Sequence, residues 1–369
     1  MKINEFALEK SHDEHQGATP IDLSRSTAEP FKINEFLDED ECANLGEFAL
    51  QYGSSNGDEG LRDDIAKLYT KRSSEEILIT NGSSEANFII TSALLEAGDE
   101  MIYIIPNFMQ IIGWAEAIGV IVKTSALIEE QNWALNFNHI RSLITAKTKL
   151  ISICHPNSPS GAYSNNEAMN ELISIATDHD LYIHSDEIFK GTEFDQIEGP
   201  SFIDLYGKAV CSSGFSKAFA LPGIRIGWVA GPIEIIQKCW NVKDYTTLSP
   251  GTLNQHLAKL ALMPERRKLI IERNKKILMK NRQLLVDFVR NSDNFSLVLP
   301  RAGGIAFVKI NMSISSDEFC TAMRENYGVS IVPGSLYGYD KHLRFGLGVD
   351  PAKMADGLKF LTEYTETLT

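Results

Sequence analysis

A lysine beside a serine, with an arginine eight residues further on, carries the strongest chemical signal in this chain: Ser213-Gly214-Phe215-Ser216-Lys217, then Pro222-Gly223-Ile224-Arg225-Ile226-Gly227. A lysine amine forms imines with aldehydes when it is held close to a fixed cofactor. Arg225 can grip a phosphate through two parallel hydrogen bonds. Ala218, Phe219 and Leu221 around the lysine fit poorly with a solvated surface position. A second segment, Asn81-Gly82-Ser83-Ser84-Glu85, follows an apolar run and opens a helical stretch. It offers N–H groups and hydroxyls to a phosphate, or simply caps the helix. Asp186 closes the run LYIHSD. A carboxylate there can bind a metal, act as a base or cap the next turn. No cluster with ligand spacing accompanies it, so no metal is expected.

These residues need a frame that brings them together. From about residue 60 to 230, helical stretches such as Gly60–Lys71 and Asn166–His179 alternate with short β-rich runs at 76–80, 100–105, 120–126, 149–154, 181–186, 209–213 and 224–231. The runs are apolar on both faces, as buried strands of a mainly parallel, doubly wound α/β sheet should be. In such sheets ligands sit at the carboxyl ends of the strands, where the candidate residues fall. Residues 252–291 read as one long connecting helix, and 295–369 as a small α+β unit completed by the N-terminal segment. The expected division is a large domain of about 45–250 and a small domain of 1–44 with 251–369.

The segment from SSGFSK to GIRIGW resembles the class I/II aminotransferases, pyridoxal 5′-phosphate (PLP) enzymes of fold type I. TNGSSEAN (80–87), IPNF (105–108), HPNSPSGAY (155–163), SDEIFKG (185–191), VSIVPGSLYG (329–338) and LRFGLG (343–348) stand in family order at family distances. The resemblance implies an aspartate-aminotransferase-like fold with PLP as cofactor. It implies that Lys217 holds PLP and later moves the substrate Cα proton, and that Asp186 keeps the pyridine nitrogen protonated. Phe108 and Ile188 would lie on the two ring faces. Gly82, Ser83, Ser84, Ser216 and Arg225 would form the phosphate cup, joined by Tyr52 from a neighbouring subunit of a homodimer. Arg344 would bind the substrate carboxylate.

The tuning residues depart from the family pattern. Phe189 stands where most members have a tyrosine that donates to the cofactor O3′. Ser158 stands where they have asparagine, with Asn157 displaced by one, and Gly214 replaces a hydroxyl residue. The N-terminal carboxylate loop reads Ser26-Thr27-Ala28-Glu29-Pro30. KDYTTLSPGTLNQ (243–255), PRAGG (300–304), NGDEGLR (56–62) and Phe189 are similar to the capreomycidine-synthase branch. Enzymes of that branch remove a hydroxyl from a hydroxylated arginine and close its guanidine into a ring. That resemblance implies acidic partners for a guanidinium, with Glu9, Glu29 and Asp58 as candidates and Thr27 on the substrate loop. The alternative activity is 2-oxoglutarate-dependent transamination.

Composition narrows the classes. A net charge of -14, from 35 Lys plus Arg against 49 Asp plus Glu, argues against a nucleic-acid partner. No helix-turn-helix extension or basic patch points to a regulator that only senses PLP. Apolar stretches are short and interrupted, so no membrane span is expected. The start, MKINEFALEKSHDEHQ, does not read as a signal peptide, and five scattered cysteines suit free thiols in the cytoplasm.

Overall fold

The computed structural model describes residues 3–368 apart from 16, 18, 71, 196 and 197. Helix α1 (Ala7–His15) and a short strand β1 (Ile21–Asp22) come first. The main sheet holds β2 (Ile77–Thr80), β3 (Glu100–Ile105), β4 (Ile121–Ala126), β5 (Thr148–Cys154), β6 (Tyr182–Asp186), β7 (Ala209–Gly214) and β8 (Gly227–Ala230), in the order β2-β8-β7-β6-β5-β3-β4. Only β8 runs against the rest.

Period-two alternation explains why these runs are apolar throughout. On β3, Ile102 and Ile104 face one core while Met101 and Tyr103 face another. On β7, Ala209 and Cys211 join the first core and Val210 a third. A sheet covered by helices on both sides needs apolar residues at every position. β4 departs from the expectation. It is an edge strand, largely exposed, and Lys123 and Thr124 lie within it.

A second, antiparallel sheet has the order β12-β13-β10-β9, from β9 (Phe295–Leu297), β10 (Ile305–Ile310), β12 (Val332–Pro333) and β13 (His342–Gly346). β1 pairs in parallel with β11 (Val329–Ser330). A separate core of Phe319, Met323, Phe345, Leu358 and Leu361 lies under this sheet.

The sequence misplaces some boundaries. The stretch 252–291 is two helices, Thr252–Leu262 and Pro264–Arg290, because Met263 is extended (ψ 129°) before Pro264. Proline disfavours helical backbone in the residue before it and is itself at home in a first turn. The helix expected over Gly60–Lys71 runs Glu59–Ala66, and Lys71 lies outside the described residues. Arg225 is not in a strand. It follows a 3-10 turn, Pro222–Ile224, in left-handed backbone at φ 50°.

Candidate active site

A cavity of about 720 Å³ opens where the carboxyl ends of β2, β6 and β7 meet β13 and the N-terminal segment. Most residues expected at the site line it: Glu9, Thr27, Ser83, Ser84, Phe108, Ser158, Asp186, Ile188, Phe189, Ser216, Lys217, Arg225 and Arg344.

On one wall the helix Ser83–Leu94 begins at Gly82, whose φ of 84° suits glycine. The first N–H groups of a helix have no partner within it, so this end attracts anions. A Cβ on Gly82 would come within 2.4 Å of Arg225 Nη2, and one on Gly227 within 2.5 Å of Ser83 N. Bare backbone therefore lets the guanidinium, the helix end and β8 close on one another. Ser83, Ser84 and Ser216 add hydroxyls to the same wall. This concentration of donors fits a phosphate. Gly227→Ala should destabilise the fold by about 1–3 kcal/mol through overpacking and weaken PLP binding as the cup is wedged open. Thermal unfolding and cofactor titration would check both effects.

Asp186 lies at the end of β6. Its Oδ2 accepts from Asn87 Nδ2 at 3.0 Å and its Oδ1 from Ile188 N at 3.1 Å. Burial raises its pKa, while Asn87, the Ile188 N–H and Lys217 act to lower it. Behind it runs a buried chain the sequence did not announce. Ser212 Oγ donates to Asn87 Oδ1 at 2.5 Å and lies 3.0 Å from His184 Nε2; His184 Nδ1 lies 2.9 Å from Ser152 Oγ. Burial holds His184 down to about 3, so the ring is neutral. Since the Ser212 proton goes to Asn87, His184 donates from Nε2 and accepts at Nδ1 from Ser152. Four bonds thus point one way, towards the Asp186 carboxylate. His184 sits two residues before Asp186 on a strand and Asn87 one helical turn beyond Ser83, but the register that sets Ser152 and Ser212 beside His184 comes only with the sheet.

Lys217 Nζ donates to Ser26 Oγ at 2.6 Å. Burial and then Arg344 bring its pKa down to about 8, with Arg225 adding to the effect and Glu9 and Asp186 opposing it. Arg344, on β13, is buried beside His12 and the Ser24 carbonyl, and its Nε has no partner. His12 also borders the cavity. No pattern in the chain announced that α1 folds back over it. Phe6, just before α1, stands edge-on to Phe108 at 5.1 Å.

Other expectations need correction. Asp58 is off the cavity: it caps the helix Glu59–Ala66 by accepting from Leu61 N and pairs with Lys259 at 3.1 Å. Glu29 is exposed and held through its backbone, its N–H to the Gly348 carbonyl and its carbonyl to Arg273. Asn157 has both ends of its amide engaged, Nδ2 to the Pro106 carbonyl and Oδ1 by Ser160, and does not line the cavity. Tyr52, expected to serve a neighbouring subunit, is 88% exposed and does not line the cavity of its own chain, so that expectation is left as it stood. Gly214 leaves little room for a hydroxyl side chain: a Cβ would lie 3.0 Å from the Ile226 carbonyl and 3.4 Å from Ile188.

Comparison with known proteins agrees with this arrangement. The family model for aminotransferase class I and II matches residues 18–361. Capreomycidine synthase of Streptomyces vinaceus is 26% identical, over 86% of this chain and 82% of its own. An aspartate aminotransferase of Pyrococcus abyssi is 28% identical, over 91% and 89%. The crystal structure of a PLP-dependent aminotransferase from Streptococcus suis 89-1591 superposes with a TM-score of 0.95 at 29% identity, covering 100% of this chain and 99% of that one. Structures of Thermus thermophilus aspartate aminotransferase share the same architecture. The sheet order, the donor-rich wall and the match over nearly the whole length lead to one conclusion: this chain belongs to the class I and II aminotransferases, with the fold type I architecture and PLP as cofactor.

Proposed function

We propose that the enzyme acts on a hydroxylated arginine, removing the side-chain hydroxyl and closing a guanidine nitrogen onto the carbon chain with net loss of one water. The observation that carries this reading is a pair of carboxylates, Glu9 and Asp13, one turn apart on α1 at the edge of the cavity. Among the described residues neither makes an ion pair within 4 Å, so the pair is free to receive a cation. Arg344 borders the same cavity and suits a carboxylate. An amino acid with a guanidinium side chain matches both charges. The similarity to capreomycidine synthase points the same way. Transamination with 2-oxoglutarate is the second reading, supported by the similarity to aspartate aminotransferases. A dicarboxylic substrate would need a cation for its side chain, and Arg25, on the cavity wall, is paired with Asp22 at 2.9 Å.

PLP, when bound, supplies an electron-withdrawing ring that makes the Cα proton of an amino acid removable. In this reading Lys217 holds the cofactor and moves that proton. Asp186 provides a negative charge for the ring nitrogen, and Phe108 and Ile188 flank the ring. Gly82, Ser83, Ser84, Ser216 and Arg225 hold the phosphate, while Ser158 and Phe189 stand on the O3′ side of the ring. Phe189 brings no hydroxyl to that side. Arg344 and Thr27 position the substrate. Tyr52 completes the phosphate site of a second subunit, so the enzyme is a homodimer.

Incubation with hydroxyarginines, arginine and common amino acids, with and without 2-oxoglutarate, tests the reading by product mass. Loss of water without an acceptor supports it; stoichiometric glutamate overturns it. Replacing Glu9 and Asp13 together by Gln and Asn should raise KM for the guanidino substrate by roughly three- to ten-fold, a modest factor because both groups are exposed.

A further inference from the structure

The guanidinium of Arg344 is engaged by the protein itself. Nη2 carries two hydrogens. The Ser24 carbonyl takes one, and His12 Nε2, 3.2 Å away, takes the other. Arginine only donates, so His12 must accept. His12 is able to, because burial, then Arg344 and Lys217, hold it down to about 4 against Asp22 and Asp13, and it is neutral near pH 7. A carboxylate is gripped bidentately through Nη1 with Nη2 or through Nε with Nη2. Both grips use a hydrogen of Nη2, so one present partner has to leave.

The two partners are not equally held. Ser24 follows Leu23, whose N–H donates to the Ser330 carbonyl at 2.8 Å and whose carbonyl accepts from Gly346 N at 2.6 Å. That backbone is laced on both sides. His12 sits on a nine-residue helix whose buried anchor is Leu8. Short helices with few buried contacts are the first elements to shift. His12 is the partner that yields.

We propose that His12 is a specificity-determining residue: it holds the Arg344 hydrogen that a substrate carboxylate must take, and so sets an affinity threshold for the site. Breaking this contact weakens every carboxylate ligand. The loss is offset only by a ligand whose other end engages Glu9 and Asp13 on the same helix. The inference rests on the roles of Arg344 and of the two acidic residues proposed above.

Two ligands without an amino group, hexanoate and 5-guanidinopentanoate, read the threshold without entering the reaction. Their dissociation constants are measured by calorimetry on the PLP-loaded enzyme. His12→Ala should tighten both by a similar factor, roughly ten- to a hundred-fold for one hydrogen bond to a charged group. His12→Gln keeps an acceptor and should stay within about two-fold of the unaltered enzyme, which separates the contact from a general loosening of α1. Unchanged or weaker hexanoate binding in His12→Ala overturns the proposal. So does hexanoate binding that Arg344→Leu leaves intact, since the arginine would then not be the receptor. If 5-guanidinopentanoate binds the unaltered enzyme no better than hexanoate, the guanidino reading fails and takes the offset with it, while tighter hexanoate binding in His12→Ala still establishes the threshold.

Discussion

Lys217→Ala should lower turnover by at least about 10⁴-fold if, as proposed, this lysine both holds the cofactor covalently and moves the Cα proton. The proposed phosphate cup stands on other residues, so PLP should still bind, and the visible absorbance of the lysine-bound cofactor should vanish. Borohydride fixation of cofactor to the variant would assign the work to another lysine. The unaltered protein offers a second measurement. With Nζ lowered to about 8 by burial and by Arg344, the amine gains its neutral, nucleophilic form as pH rises through 8. Covalent capture of PLP by the apoprotein should therefore accelerate up to about pH 8 and then level off. An ordinary lysine would go on accelerating towards about 10.4. A capture rate still climbing at pH 9.5 would mean that Lys217 is not depressed.

Asp186→Asn should cost about 10²- to 10³-fold in kcat with little change in substrate KM, the scale expected when one preorganised electrostatic group is lost from a buried site. Asparagine keeps the size and can still accept from Asn87, but it carries no charge to hold a proton on the ring nitrogen. Stability should hold or rise slightly, because a buried amide is easier to desolvate than a carboxylate. A loss below about ten-fold would remove Asp186 from its proposed place opposite the ring.

What the sequence made legible follows from where information is local. The run at 100–105 reads as a strand because both of its faces are buried, and β3 occupies those residues. Lys217, Asp186 and the Gly82-Ser83-Ser84 turn stand at ends of apolar runs, so their convergence followed from the sheet. Side-chain engagement was harder to read. Asp58 and Asn157 have the right chemistry for a ligand but are used by the helix and loop that carry them. The Asp58 cap was readable, since an aspartate just before a helical stretch is a common N-cap. His12 was not, because its place depends on a fold-back of α1 that no residue pattern encodes. The bonds among Ser152, His184, Ser212 and Asn87 join β5, β6, β7 and a helix, and depend on register between strands that only the fold supplies.

The glycine-lined wall and α1 divide the labour of the cavity unequally. Around Gly82 and Gly227, backbone touches backbone, and almost any new side chain there disturbs the cofactor cup. That wall has little freedom to diversify. α1 belongs to neither sheet, yet it brings Glu9, His12 and Asp13 to the same space. On the proposed roles, an exchange of some nine residues there would rewrite which side chain is welcomed and leave the chemistry of the ring untouched. Substrate preference in such an architecture is a graft on an inherited catalyst, free to change faster than the reaction it serves.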